Sequence, residues 1–485
     1  MIIENSNIAG GHIMKSNWNK EIFDKLDNSP YNREKYQQFK PLLDILFGEL
    51  KDVMTSLQGS ENEADRERFQ KYQNILTDWS GYVERIHSRV DTHFGYPMNL
   101  SKRSFLVDFF RIMESLDVNQ NNFGDIMDIS DIVVENDMLK TSRNNYALDI
   151  KSLEWDVVRL VAENLGIPEQ PRLVEMLKNQ AKYKDGFWGY VTSGGSESNL
   201  WGILQGFTEY PDGVLYFCEA AHYSISKAAK SRNCQVISQK SADDESIDDV
   251  ALLEAIKTNW FNLRKPAIIV LTFGTTKFGS VDDVALIKKQ LVELQIPHYL
   301  HVDAALYGGI PKNQTNAPKI GSLDMWGYDS VAISMHKYIG YPIAKGVLIS
   351  AERPAGRFVD YVGQEDNTVL GSRDAHGFSL RQQVMEVFHH TEPNEYFESI
   401  QSFSDMLASA KVKFTQWSDG ECKGNIFVFK VDKAVKGYQE ICKRWQLSEF
   451  VGKDGFSRIH VVIFPSHSNE NLQLLADDLS KIAVN

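Results

Sequence analysis

Short apolar runs bounded by turn residues recur through the middle of the chain. They alternate there with segments in which apolar residues return every three or four positions. The runs predict strands at Trp188 to Thr192, Val214 to Phe217, Gln235 to Ser238, Ala267 to Thr272, Tyr299 to Asp303, Ser330 to Ser334 and Gly346 to Ser350. Helical periodicity precedes the first run, at Ser152 to Leu165, and separates several others, including Asn199 to Phe207 and Asp283 to Leu294. Such alternation predicts an α/β fold, a mostly parallel sheet of about seven strands covered by helices.

The flanks follow other rhythms. From Asn17 to about Val90 the spacing is helical, with Phe39, Leu42, Leu43, Leu46, Phe47 and Leu50 on one stripe and a charged break at Glu61 to Arg68. This predicts an N-terminal helical arm over residues 1–95, whose stripe packs on its own chain or on a second subunit. His93 to Leu100 and Asn121 to Asp125 are turn chemistry around a helix at Ser104 to Leu116, and their aromatic and amide groups also suit a cleft wall. The large domain is expected over 96–366. Beyond the polar stretch Glu365 to Thr368 the pattern becomes helix, helix, strand, strand, helix: Leu380 to His390, Tyr396 to Val412, Ile426 to Val431, Ile459 to Phe464 and Asn471 to Ala483. A smaller α+β domain is expected over 367–485.

Composition narrows the class of partner. With 42% hydrophobic and 24% charged residues, the 485-residue chain can bury a large core. A formal charge of −13 argues against a broad nucleic-acid surface and favours small-molecule partners. The four cysteines, Cys218, Cys234, Cys422 and Cys442, lack metal-type spacing and read as free thiols. No apolar run approaches the roughly 20 residues that span a bilayer, and the first residues lack a signal-peptide core, so a cytoplasmic protein without a membrane partner is expected.

Candidate chemistry gathers just past the ends of the predicted strands, where open α/β sheets place ligands. Lys337 follows the strand Val331 to Ile333; a partly desolvated lysine there can form a Schiff base with an aldehyde. VTSGGSESNLWGI, Val191 to Ile203, reads either as a phosphate seat at a helix N-terminus or as a plain strand-to-helix turn with Ser196 as its cap. Its helix shows Leu200, Ile203, Leu204 and Phe207 on one stripe. Asp303 ends an apolar strand, where a carboxylate suits a protonated heteroaromatic nitrogen, and Ala305 leaves room for a flat ring. His298, His301 and Asp303 are the alternative reading as metal ligands, without a zinc spacing; no metal is expected. His222 suits ring stacking, acid–base work or a helix-end hydrogen bond, and Thr275 and Thr276 offer hydroxyls past another strand. A phosphate seat, a carboxylate, an imidazole and an amine together match the needs of pyridoxal 5'-phosphate.

The motifs SGGSESN, HYSISKAAK, GTTKFGSVDD, HVDAALYGG, SMHKYIGYP and GSRDAHG, in that order, resemble the group II pyridoxal-phosphate amino-acid decarboxylases of fold-type I, most closely the histidine and serine decarboxylase branch. The likeness runs from His93 to about Gly377. It implies that Lys337 is the Schiff-base lysine, that His336, Ser193, Gly194, Ser196 and Ser334 hold the phosphate, and that Asp303 pairs with the pyridine nitrogen. It further implies Ala305 and His222 on the two ring faces, Thr275 near the ring substituents, and Tyr96, Asn122 and His376 in segments that approach the substrate. Lys337, His222 and Asp303 would be the catalytic set, in sites completed across a homodimer interface. The implied reaction is decarboxylation of an L-amino acid, histidine- or serine-like, to its amine. Another Cα reaction of the same cofactor, or a catalytically silent regulatory homologue, are the alternatives. The chain departs from the family pattern at Ser198 and Met335, where glycine is usual, and at Asp374 and Ala375, where the family has Asn-Gly.

Overall fold

The strands that carry the candidate residues lie side by side. In the computed structural model, which describes residues 62–66, 69–70, 94–95, 132–135, 138–141, 151–167, 187–321, 327–352, 354, 357–360, 364–371, 373 and 377–484, a hairpin of β1 (Ile132–Glu135) and β2 (Met138–Thr141) comes first. Then come α1 (Lys151–Asn164), β3 (Trp188–Thr192), α2 (Gly195–Glu209), β4 (Val214–Cys218), α3 (Tyr223–Arg232) and β5 (Val236–Gln239). They are followed by α4 (Asp249–Leu263), β6 (Ala267–Thr272), α5 (Val284–Glu293), β7 (His298–Asp303), β8 (Ser330–Ser334) and β9 (Gly346–Ser350). The seven strands β3 to β9 form one sheet in the order β3-β9-β8-β7-β6-β4-β5. Only β9 runs against its neighbours.

The central strands β8, β6 and β4 are buried along their whole length, as expected of strands covered on both faces. All six residues of β6, Ala-Ile-Ile-Val-Leu-Thr, are buried. Helix α2 packs Ile203 and Phe207 against Leu215, Phe217, Ile268, Val270 and Tyr299. Its buried face is turned from the expected stripe: Leu204 is 37% exposed, while Asn199, Gly202 and Gly206 face inward. Bulky sheet residues explain the turn. A Cβ on Gly202 would stand 2.3 Å from the His301 ring, and one on Gly206 would stand 2.7 Å from Ile268 and 3.0 Å from Tyr299. The glycines let the helix come down onto those side chains.

After a second hairpin, β10 (Arg357–Val359) with β11 (Gln364–Asp366), come α6 (Gly377–His390) and α7 (Glu395–Ser409). Next are β12 (Thr415–Asp419), β13 (Cys422–Lys430), α8 (Tyr438–Arg444), β14 (Ser448–Val451), β15 (Ser457–Val462) and α9 (Asn469–Ile482). The last four strands form a smaller antiparallel sheet, β12-β13-β15-β14, with α7 and α9 packed together beside it. Helix α6 packs along α1, where Arg381 meets Asp156 at 2.8 Å.

The chain divides into two units, residues 1–90 with 104–110, and 91–103 with 111–485. Every element named above belongs to the second. Of the first, only short helical stretches at 63–66 and 69–70 are described, so the apolar stripe from Phe39 to Leu50 lies outside the described residues. Among the described residues no helix is long and apolar enough to cross a membrane, and the four cysteines are free thiols.

Candidate active site

Ser193, His222, Thr275, Asp303 and Lys337 all emerge at one edge, the C-terminal ends of β3, β4, β6, β7 and β8. Reversed β9 begins at that edge, with Gly346 paired to both Thr192 and Ser334. A Cβ on Gly346 would sit 2.5 Å from Thr192 Oγ1 and 2.8 Å from the Gly194 carbonyl carbon, so the edge closes only around glycine.

Lys337 stands in a tight turn after β8. The Met335 N–H donates to the Lys345 carbonyl at 2.8 Å, the Tyr341 N–H to the Met335 carbonyl at 2.9 Å, and the Gly340 N–H to the Lys337 carbonyl at 3.1 Å. His336 Nδ1 is 3.2 Å from the same Lys345 carbonyl, which fixes its ring. Met335 is fully buried. Burial pushes the Lys337 amine below its ordinary pKa, while the Asp303 charge pulls it back. The balance favours a neutral, nucleophilic amine more than a surface lysine would have. His222 is also lowered by burial, with Asp303 raising it and Lys337 lowering it, so the three groups share one electrostatic neighbourhood.

The Asp303 carboxylate is 4% exposed and held by two donors. Its Oδ1 accepts the Ala305 N–H at 3.1 Å, and its Oδ2 accepts Asn199 Nδ2 at 2.8 Å. Asn199 Nδ2 also reaches Ser224 Oγ at 3.1 Å, and that hydroxyl lies 2.8 Å from His222 Nδ1. His222 is the N-cap of α3, accepting the Ser224 N–H at 3.3 Å, so the helix-end role and the active-edge position coincide. Thr275 is buried and its Oγ1 accepts the Ser280 N–H at 3.0 Å.

Helix α2 is capped by Gly194 at φ 145° without a side-chain cap, so Ser196 lies inside the first turn and is not the cap. The N–H groups of Gly195 and Ser196 open the helix and have no carbonyl one turn back to bond. Ser193 directs its proton elsewhere: its N–H and its hydroxyl both donate to Glu197 Oε2, at 2.8 and 2.6 Å. Glu197 in turn accepts the Tyr190 hydroxyl at 3.0 Å. A Cβ on Gly195 would stand 2.5 Å from Ser334 Oγ, which brings that hydroxyl against the backbone of the helix start. Ser198 is fully buried, and its hydroxyl meets Thr192 Oγ1 at 2.8 Å.

Asn199, Glu197, Ser224 and the pair Glu154 with Arg373 escaped the sequence reading. Glu197 and Asn199 stand inside the quoted motif, and helical spacing puts Asn199 one turn beyond Gly195, on the side of the helix start. His301 is drawn away from any metal role, with Nε2 on Asn199 Oδ1 at 3.0 Å and Nδ1 on Ser330 Oγ at 2.7 Å. Among the described residues no group of His, Cys, Asp and Glu could hold a metal ion. Tyr96, Asn122 and His376, with Asp374 and Ala375, lie outside the described residues.

A family model described as the pyridoxal-dependent decarboxylase conserved domain matches residues 137–355. Histidine decarboxylase of Acinetobacter baumannii (strain ATCC 17978) is 31% identical over 319 residues, which are 64% of this chain and 70% of that protein. The chain belongs to the pyridoxal-dependent decarboxylases. Serine decarboxylase 2 of Oryza sativa subsp. japonica is 28% identical over 445 residues, covering 88% of this chain and 83% of the relative. Among solved structures, L-methionine decarboxylase from Streptomyces sp. 590 in complex with L-methionine methyl ester superposes with a TM-score of 0.64 at 17% identity, over 88% of this chain and 96% of that one, and shows the shared fold. The protein is therefore a pyridoxal 5'-phosphate-dependent amino-acid decarboxylase of fold-type I.

The residues present fit that cofactor. A buried acceptor carboxylate, an amine depressed by burial, an imidazole beside both, and a helix start with unbonded N–H groups stand along one sheet edge. Each is a group of the kind that one part of the cofactor would need.

Proposed function

We propose that the protein decarboxylates a polar L-amino acid, histidine or serine in the first instance, to its amine and carbon dioxide. The observation that carries the residue roles is that Lys337, Asp303 and His222 stand past the ends of β8, β7 and β4 along one sheet edge, with Asn199 and Ser224 linking Asp303 to His222. The relatives named serine and histidine decarboxylase support the choice of substrate.

In this reading Lys337 holds the cofactor through its amine, whose pKa burial lowers. The N–H groups of Gly195 and Ser196, with Ser334, His336 and the Ser193–Gly194 turn, hold the phosphate where the α2 dipole favours negative charge. Asp303 keeps a proton on the ring nitrogen through a charge-assisted hydrogen bond of about 1.5 to 3 kcal/mol. Ala305 and His222 bracket the ring, and Thr275 flanks its substituents. When bound, the cofactor supplies an electron sink for the pair left at Cα as carbon dioxide departs. Tyr96, Asn122 and His376 contact the substrate, and two chains form a homodimer whose sites each chain helps to complete.

The test is a product screen with cofactor-loaded protein across the proteinogenic and several diamino acids. One or two substrates, histidine or serine among them, should give amine and carbon dioxide in equal amounts. Carbon dioxide without stoichiometric amine would replace simple decarboxylation with a coupled Cα reaction, and no turnover of either amino acid would remove the substrate assignment.

A further inference from the structure

We infer that Asn199 and His301 are positioning residues that hold Asp303 and His222 as one unit, through a buried hydrogen-bond chain with a fixed direction at every link. The inference rests on the reading of Asp303 as the partner of the cofactor's ring nitrogen.

The direction follows from which atoms can only accept. A carboxylate oxygen donates nothing, so the Asn199 atom 2.8 Å from Asp303 Oδ2 is the amide nitrogen, and the amide cannot be flipped. Its carbonyl oxygen therefore faces His301 Nε2 at 3.0 Å, and that nitrogen must carry the proton. Complete burial pushes His301 down to about 4, so the ring is neutral at ordinary pH and Nδ1 is bare. Nδ1 then accepts from Ser330 Oγ at 2.7 Å, and the Ser330 oxygen accepts the Tyr299 hydroxyl at 2.8 Å. The second N–H of Asn199 goes to Ser224 Oγ at 3.1 Å, whose hydroxyl is free to donate to His222 Nδ1 at 2.8 Å. That leaves the His222 proton on Nε2.

Tyr299, His301, Ser330, Asn199, Ser224 and Asp303 are each at most 4% exposed, so water does not compete along the chain. Bonds in such a row polarise one another, and donation from His301 makes the Asn199 amide a stronger donor to Asp303. Gly202 makes the row possible, because a Cβ there would stand 2.3, 2.5 and 2.6 Å from three atoms of the His301 ring. The imidazole occupies the space that a side chain on α2 would otherwise fill.

Two measurements test the inference. In cofactor-free protein labelled with ¹⁵N-histidine, His301 should be the Nε2–H tautomer at neutral pH, its signal identified by its loss in His301→Gln. A proton on Nδ1 overturns the chain whatever the variants do. The second compares dissociation constants of pyridoxal 5'-phosphate and of its 1-deaza analogue, in which carbon replaces the ring nitrogen. The native protein should prefer the natural cofactor. Asn199→Leu and His301→Leu should cut that preference roughly tenfold, whereas His301→Gln, which keeps a donor toward Asn199, should retain most of it. A merely structural role would weaken both ligands alike and leave the ratio unchanged, which overturns the inference while Asp303 keeps its role. If the native protein shows no preference, the Asp303 reading fails and the inference falls with it.

Discussion

Breaking the ion pair between Glu154 and Arg373 should cost far more than an ordinary surface pair, and the reason lies in its burial. The side chains are 2% and 6% exposed, and Arg373 Nε and a terminal nitrogen meet the two Glu154 oxygens at 3.1 Å each. Burial alone would push the Arg373 guanidinium down, but the charge and hydrogen bonds of Glu154 override it and raise it. Glu154 Oε1 also accepts the Val191 N–H at 3.0 Å, and Arg373 lies over the Tyr190 ring at 5.5 Å, so the pair ties α1, β3 and the 367–373 segment together. Arg373→Met keeps the aliphatic stem and strands the carboxylate; that loss should cost about 3 to 5 kcal/mol. Glu154→Gln keeps the volume and the acceptor for Val191, and the double variant removes both charges. A cycle of the three by guanidinium unfolding should give a coupling energy of about 2 to 3 kcal/mol. Hydrogen exchange should also quicken at Val369, whose N–H donates to the Tyr190 hydroxyl at 3.3 Å. A coupling below about 0.5 kcal/mol, the range of exposed pairs, would show that the geometry does not carry the energy assigned to it.

Lys337→Ala should abolish turnover and the visible absorption of bound cofactor while the far-UV spectrum stays native; a fully active variant would end the assignment of the nucleophile. Asp303→Asn should slow turnover much more than it weakens cofactor binding, checked by kcat against the cofactor dissociation constant, and loss of cofactor accounting for the whole defect would make Asp303 structural. His460 is pushed down to about 4 by burial, with a Gly95 backbone hydrogen bond opposing and the Lys277 charge adding to the fall. The unfolded chain thus binds the extra proton first, and stability should fall as pH drops from about 6.5 to about 4, by up to a few kcal/mol. The difference between the native protein and His460→Gln across that window isolates the imidazole, and parallel curves would refute the shift.

The alternation of apolar runs and helical periods was enough to determine the sheet. Four of the seven strands, Trp188–Thr192, Ala267–Thr272, Ser330–Ser334 and Gly346–Ser350, begin and end where the sequence predicts, because a strand buried on both faces must be apolar along its length. Local pattern also put Lys337, Asp303 and His222 at strand ends. It could not put them beside one another. Strand order does that, and the order β8-β7-β6-β4 depends on crossovers that leave no mark in local composition. The short strands β12 and β14 and helix α8 were missed for a related reason: their residues are mostly exposed and gain their form from pairing with β13 and β15 or from packing beside α9.

The polar row behind Asp303 belongs to the tertiary structure alone. Asn199 and His301 are 102 residues apart, and nothing in either neighbourhood requires an amide to face an imidazole. Gly202 reads in sequence as a weak point in a helix, yet in the fold it is the gap that the His301 ring fills. Residue type and spacing determined which chemistry was available at each strand end. Only the close approach of α2 to the sheet decided which donors meet the carboxylate, because buried polar groups must find partners wherever packing brings them.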